Sequence, residues 1–178
     1  MTLIELFDPC QLENAAGAML LRPERAVYIG YADEMTESRR SALVRFLKKN
    51  AGTRFVEFVN VPRGDFTEIE RAVTYISNKY AAGCVFDLSG GDELIAAAFG
   101  AVAQVMKLCM IKSDAENMTV LPLKNADSLS EERIHRVKLS VEESVALYGG
   151  AVISERDSDC RRELSESDRR ELTALWNI

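Results

Sequence analysis

Apolar and polar positions along the chain follow two alternating rhythms. Short apolar runs at Leu3–Asp8 (LIELFD), Arg25–Ala32 (RAVYIGYA), Arg54–Val61 (RFVEFVNV) and Gly83–Ser89 (GCVFDLS) have the length and composition of strands, and the third alternates in the two-residue period. Between them lie segments with the helical period. Pro9 opens the first, QLENAAGAMLL, in which Leu12, Ala15, Ala16 and Met19 share a face, and Pro23 closes it. MTESRRSALVRFLKKNAG carries Leu43, Phe46 and Leu47 as its stripe, with Gly52 as a stop. Past the turn at Pro62–Gly64, Asp65 and Thr67 offer caps for a helix bearing Ile69, Ala72, Val73 and Ile76. GDELIAAAFGAVAQVMK is apolar around most of its circumference, which predicts a helix packed on two sides.

Beyond Lys107 the alternation changes. LCMIKS and MTVLPLK read as two strands joined by the polar turn DAEN, a hairpin in place of another crossover. SLSEERIHRVKLSVEESVALYGG is helix-compatible, has Ser140 and Glu143 at capping-box spacing, and ends on Gly149 and Gly150. The charged stretch from Ser154 to Ser165 predicts a linker, and ELTALWNI a last apolar helical turn. The expected organisation is one domain over 1–153, followed over 154–178 by a linker and the start of a missing or truncated C-terminal effector region. Strands taking turns with helices call for parallel pairing and right-handed crossovers. The predicted fold class is therefore α/β, a Rossmann-like three-layer sandwich whose central sheet is mostly parallel and ends in a C-terminal β-hairpin.

Composition narrows the partners. The 178 residues are 47% hydrophobic, enough for a real core, and carry a formal charge of -6. A surface of that charge lacks the dense basic field needed for duplex nucleic acid or an anionic membrane. Cys10, Cys84, Cys109 and Cys160 show no CxxC spacing, no signal peptide opens the chain, and no apolar run approaches the ~20 residues of a membrane span. A cytoplasmic protein with reduced thiols is expected.

In an open parallel sheet, ligands sit beyond the carboxyl ends of the strands. Two loops qualify: Gly30–Thr36 (GYADEMT) and Ser89–Glu93 (SGGDE). Adjacent Gly90 and Gly91 would let a ligand approach bare backbone, and the N–H groups of the following helix favour an anion such as phosphate. The other reading is a tight strand-to-helix turn. Asp92 and Glu93 then act as first-turn acids that suit the helix dipole, and those same acids oppose a phosphate. No catalytic or metal site is expected within this chain. His135 is the only histidine, and Glu155, Asp157 and Asp159 in the tail are followed by no ExK pattern. A nucleotide-processing enzyme using SGGDE, and a ligand-independent dimerisation module, remain the alternatives; Leu94 stands where a pyrophosphatase loop would carry a second hydroxyl.

Taken together, ELFDPCQLENAAGAM, RAVYIGY, FDLSGGDELIAAAFG and LSVEESVALYGG resemble, in order over Leu3–Ile153, the N-terminal CARF (CRISPR-associated Rossmann fold) domain of the CARF nuclease family of type III CRISPR systems. Where that family usually shows a Thr-Gly-Gly-Thr-Lys type turn, this chain has Ser89, Gly90, Gly91, Asp92 and Glu93: the hydroxyl and both glycines are kept, and two acids replace a hydroxyl and a lysine. The resemblance implies a homodimer that binds a cyclic oligoadenylate, most often the tetramer, across its two-fold axis and controls a C-terminal nuclease in antiviral defence. It implies that Ser89, Gly90 and Gly91 cradle phosphate or ribose, with Asp92 and Glu93 beside them. Gly30, Tyr31, Ala32 and Asp33 would form the facing loop, Tyr31 stacking on adenine, and Asp8, Gln11 and Asn14 would line the same end. No cofactor is implied for this domain; a divalent metal is expected only in the missing nuclease. A slow opening of the bound ring, helped by Asp33, Ser89 or Asp92, is a further expectation.

Overall fold

The computed structural model describes residues 1–80, 83–126, 129, 134–135, 137–148 and 150. The elements run β1 (Thr2–Leu6), α1 (Gln11–Leu21), β2 (Arg25–Tyr31), α2 (Glu37–Asn50), β3 (Phe55–Val61), α3 (Phe66–Lys79), β4 (Cys84–Asp87), α4 (Glu93–Met106), β5 (Cys109–Asp114), β6 (Thr119–Lys124) and α5 (Val141–Leu147). The strands form one six-stranded sheet in the order β3-β2-β1-β4-β5-β6. Pairing is parallel from β3 to β5, and β6 returns antiparallel to β5. The α/β Rossmann-like reading and the C-terminal hairpin are both realised.

The two-residue period of the central strands divides the core. From β1, Leu3 points into a cluster with Tyr28, Leu43, Phe46 and Leu47, while Ile4 and Leu6 point into one with Val27, Ile29, Val73, Phe86 and Phe99. Helices α1, α2 and α5 therefore cover one face, and α3 and α4 the other. Side-chain caps start α2 to α5 but not α1, and Asp92, read from the sequence as a first-turn acid, is itself the N-cap of α4. Asp65 accepts from the Glu68 N–H at 3.0 Å, Asp92 from the Leu94 N–H at 2.8 Å, and Ser140 and Glu143 complete a capping box.

Two expectations are corrected. The segment 128–150 is not one helix. Among its described residues helix begins only at Val141, because Ser140 is extended (ψ 165°) and spends its hydroxyl as the cap, while Val137 and Leu139 pack against the α1-side core. The helix buried around its circumference is α1, which packs against the sheet and against both α2 and α5 and buries every residue from Asn14 to Leu21. α4 buries Ile95, Ala98, Phe99, Val102 and Ala103 and leaves Ala97 and Val105 exposed, the latter by 82%. Among the described residues, no helix is long and apolar enough to cross a membrane. The predicted linker and effector start over 154–178 lie outside the described residues.

Candidate functional site at the carboxyl edge of the sheet

β1 is hydrogen-bonded to β2 on one side and to β4 on the other, so the winding reverses beside it. The crevice at such a switch point opens beyond the carboxyl ends of those strands. Asp8 follows β1 there, and Ser89–Asp92 follow β4. Both glycines of the turn are required by their surroundings. Gly90 and Gly91 have φ of +61° and +73°; a Cβ on Gly91 would stand 2.5 Å from Leu6 Cβ, and one on Gly90 2.7 Å from Asp8 Oδ2.

The turn's free donor is already engaged. Gly91 N–H donates to Asp8 Oδ2 at 2.6 Å, and Cys10 N–H to Asp8 Oδ1 at 2.6 Å. Asn14, buried in α1, holds the Asp8 main chain from both sides: it accepts from Asp8 N–H at 2.9 Å and donates through Nδ2 to Asp8 O at 2.6 Å. A carboxylate thus sits where sequence reasoning placed a phosphate. Ser89 is buried rather than presented to the crevice. Its hydroxyl lies against Asp87 and the Ser113 carbonyl (2.8 Å) and accepts from Ser113 N–H at 2.6 Å.

The facing loop is divided in the same way. Gly30 is a packing glycine whose Cβ would stand 2.7 Å from Phe7 Cβ, and only Ala32 and Asp33 are exposed. Tyr31 is buried to 2% exposure, donates its hydroxyl to Asp92 Oδ1 at 2.8 Å, and carries the Arg63 guanidinium 4.1 Å over its ring. Burial, then the bond to Asp92, pushes its phenol up to about 12. Arg63 holds that position by bonding Asp33 Oδ2 at 2.9 Å and Glu34 Oε1 at 2.8 Å, and these bonds hold Asp33 below the usual carboxylate range. Burial pushes Asp92 up, but the Tyr31 hydroxyl and the Leu94 and Ile95 N–H groups outweigh it and keep the carboxyl low. Glu93 is exposed.

Sequence reasoning missed Arg63. Its signal was available, because Pro62–Gly64 is a third loop at a strand's carboxyl end and obeys the same rule as the two that were chosen. Arg39 adds a second cation nearby, donating to Glu34 O at 2.9 Å. Against these two stand Asp8, Asp33, Glu34, Asp92 and Glu93, so the edge is acidic. No group of three or more His, Cys, Asp or Glu among the described residues is placed to hold a metal ion.

No family model and no curated protein matches the sequence. Solved structures do match. Can2 from Sulfobacillus thermosulfidooxidans, in complex with cyclic tetra-adenylate, superposes over 83% of this chain with a TM-score of 0.67 at 18% identity. A type III CRISPR defence DNA nuclease activated by cyclic oligoadenylate matches over 100% of the chain (TM-score 0.54, 15% identity), and Enterococcus italicus Csm6 bound to cyclic hexa-2'-fluoro-hexa-dAMP over 98% (TM-score 0.51, 11% identity). The chain has the fold of a CARF domain. It spans 39% of Can2, 28% of the nuclease and 44% of Csm6. Within this CARF fold the glycine turn, Asp8 and Arg63 converge on one edge, while Ser89, Gly30 and the Tyr31 ring belong to the packing beneath it.

Proposed function

We propose that this CARF domain is a sensor that binds a cyclic oligoadenylate, the tetramer by preference, across the two-fold axis of a homodimer, and that the bound ring controls an effector in CRISPR antiviral defence. The observation that carries the reading is the fold shared with chains whose structures hold cyclic tetra-adenylate or a cyclic hexanucleotide. The bare turn at the carboxyl end of β4 supports it, and so does the uncovered apolar face of α4, which offers a second copy a surface in a symmetric pairing. In this reading Arg63 leaves Asp33 and Glu34 for a ligand phosphate and thereby uncovers Tyr31. Asp8 and Asp92, already bonded to backbone and tyrosine, meet ribose hydroxyls. Differential affinity of the ring for one arrangement of the dimer shifts its population, and this passes the signal on. Metal-dependent cleavage of phosphodiesters belongs to the effector, not to this domain.

Calorimetric titration with cyclic tetra-adenylate and cyclic hexa-adenylate tests the reading, with adenosine nucleotides as controls. One ring bound per two chains, weakened at least tenfold by Arg63→Ala, is the expected result. Binding of mononucleotides alone would favour a nucleotide-processing enzyme, and binding of none a dimerisation module. Conversion of the ring to a linear product on long incubation would add the slow self-limiting activity.

A further inference from the structure

Glu5 and Asp87 face each other across β1 and β4 in the middle of the sheet, partners in the parallel register. Both are buried, at 2% and 0% exposure. They also converge on one point: a Cβ on Gly17 of α1 would collide with Glu5 Oε1 and Asp87 Oδ2 together. Two ionised carboxylates so placed would repel strongly in a medium of low dielectric.

Their hydrogen bonds are unequal. Asp87 Oδ1 accepts from Ser89 N–H at 3.0 Å and Ser113 N–H at 3.1 Å, and the hydroxyls of Ser89 and Ser113 also approach its carboxylate. Neither oxygen of Glu5 has a partner among the described residues. The nearby Tyr28 hydroxyl from β2 donates to Asn14 O at 2.7 Å. A carboxylate surrounded by donors keeps its charge, and a buried carboxyl with none sheds it by taking a proton. Once protonated, Glu5 has a donor to offer, and the group that converges with it is the acceptor Asp87.

We propose that Glu5 is a neutral carboxylic acid in the folded protein, that it shares its proton with Asp87, and that this proton positions Ser89 and the glycine turn behind it. Glu5 is a positioning residue, because it reaches the edge only through Asp87. The inference does not depend on the ligand reading above. Burial, then the charge of Asp87, pushes the Glu5 carboxyl well above its ordinary range. Glu13 of α1 adds repulsion, and the Tyr28 hydroxyl, whose hydrogen goes to Asn14 O, leaves Glu5 without a donor. Ser113 is the neutral neighbour from β5.

The sign of the consequence follows. A carboxyl whose proton is held more tightly in the folded state contributes most below the unfolded value, and its contribution is lost as pH rises toward the folded one. Glu5→Gln keeps the shape and a donor but cannot ionise. Its melting temperature should match that of the unmodified protein near pH 4 and exceed it increasingly above, by about 3–5 °C per pH unit while one proton separates the two states. Glu5→Ala, which also cannot ionise, should show the same slope against pH from a lower starting value, because it loses the buried side chain as well. A Gln–Glu difference independent of pH overturns the proposal. If the glutamine variant does not fold, carbon-13 resonances of the unmodified protein decide: the Glu5 carboxyl must be protonated at pH 7, and the Ser89, Gly90 and Gly91 amides must titrate with its midpoint. An ionised Glu5, amides that ignore it, or a melting temperature that changes when potassium replaces sodium at fixed ionic strength, which would place a cation between the acids, each sinks it.

Discussion

Gly17 leaves no room for a side chain. Its position faces Glu5 Oε1 and Asp87 Oδ2, with Ser113 Oγ 3.1 Å from where a Cβ would sit. In a free helix Gly→Ala gains about 1 kcal/mol, but here a methyl group would press α1 off the sheet, and overpacking of this kind costs about 1–3 kcal/mol. Gly17→Ala is therefore expected to lower the melting temperature, measured by calorimetry, against its helix propensity. Asp92 supplies a second prediction. Its low-held carboxyl contributes stability above the unfolded value that is lost as pH falls, the opposite limb from Glu5. Asn caps a helix as well as Asp does. Asp92→Asn should flatten part of the acid limb and, with one negative charge fewer at the edge, tighten cyclic tetra-adenylate by about 2- to 5-fold. At this scale Gly90 and Gly91 could be read as bare backbone directly from the sequence. Gly17 could not, because a lone glycine in an alanine-rich helix reads as merely tolerated until the acids beneath it are seen.

Among the elements, α4 is where pattern and packing part company. Its apolar residues surround the helix, yet only the face bearing Ile95, Phe99 and Val102 is covered within the chain, and Ala97, Ala101 and Val105 form the other. A charge at Val105, on the face offered to a second copy, should leave the fold intact and break the pairing. Val105→Glu is expected to sediment as a monomer with an unchanged circular dichroism spectrum; a dimer that persists would move the two-fold axis elsewhere on the molecule. α5 shows the complementary case. Its capping box at Ser140 and Glu143 was legible because both partners are local in sequence. The apolar positions before it are helix-compatible in sequence, yet Val137 and Leu139 pack on the core from a stretch that is not helical.

For the whole molecule, the sheet order places the ends of β1 and β4 side by side and brings Asp8, 83 residues distant, to the Gly91 N–H. The assembled edge is acidic, with Arg63, Arg39 and Arg40 as its cations, Arg40 bonding Asn60 at the end of β3. Ring binding is thus expected to rest on few phosphate contacts. Titrations at rising salt should show a shallow loss of affinity, and a steep loss would point to basic residues beyond this edge. The sequence by itself determined the alternation of strands and helices, the terminal hairpin, the bare turn after β4 and the acidic balance, because periodicity, glycine placement and charge are properties of neighbouring residues. Tertiary structure alone decided that Asp8 occupies the turn's donor, that Ser89 points inward to Ser113 of β5, that Arg63 covers Tyr31, and that Glu5 lies against a second acid. Each of these is a contact between different strands or loops, and long-range register, not local propensity, selects which side chains meet there.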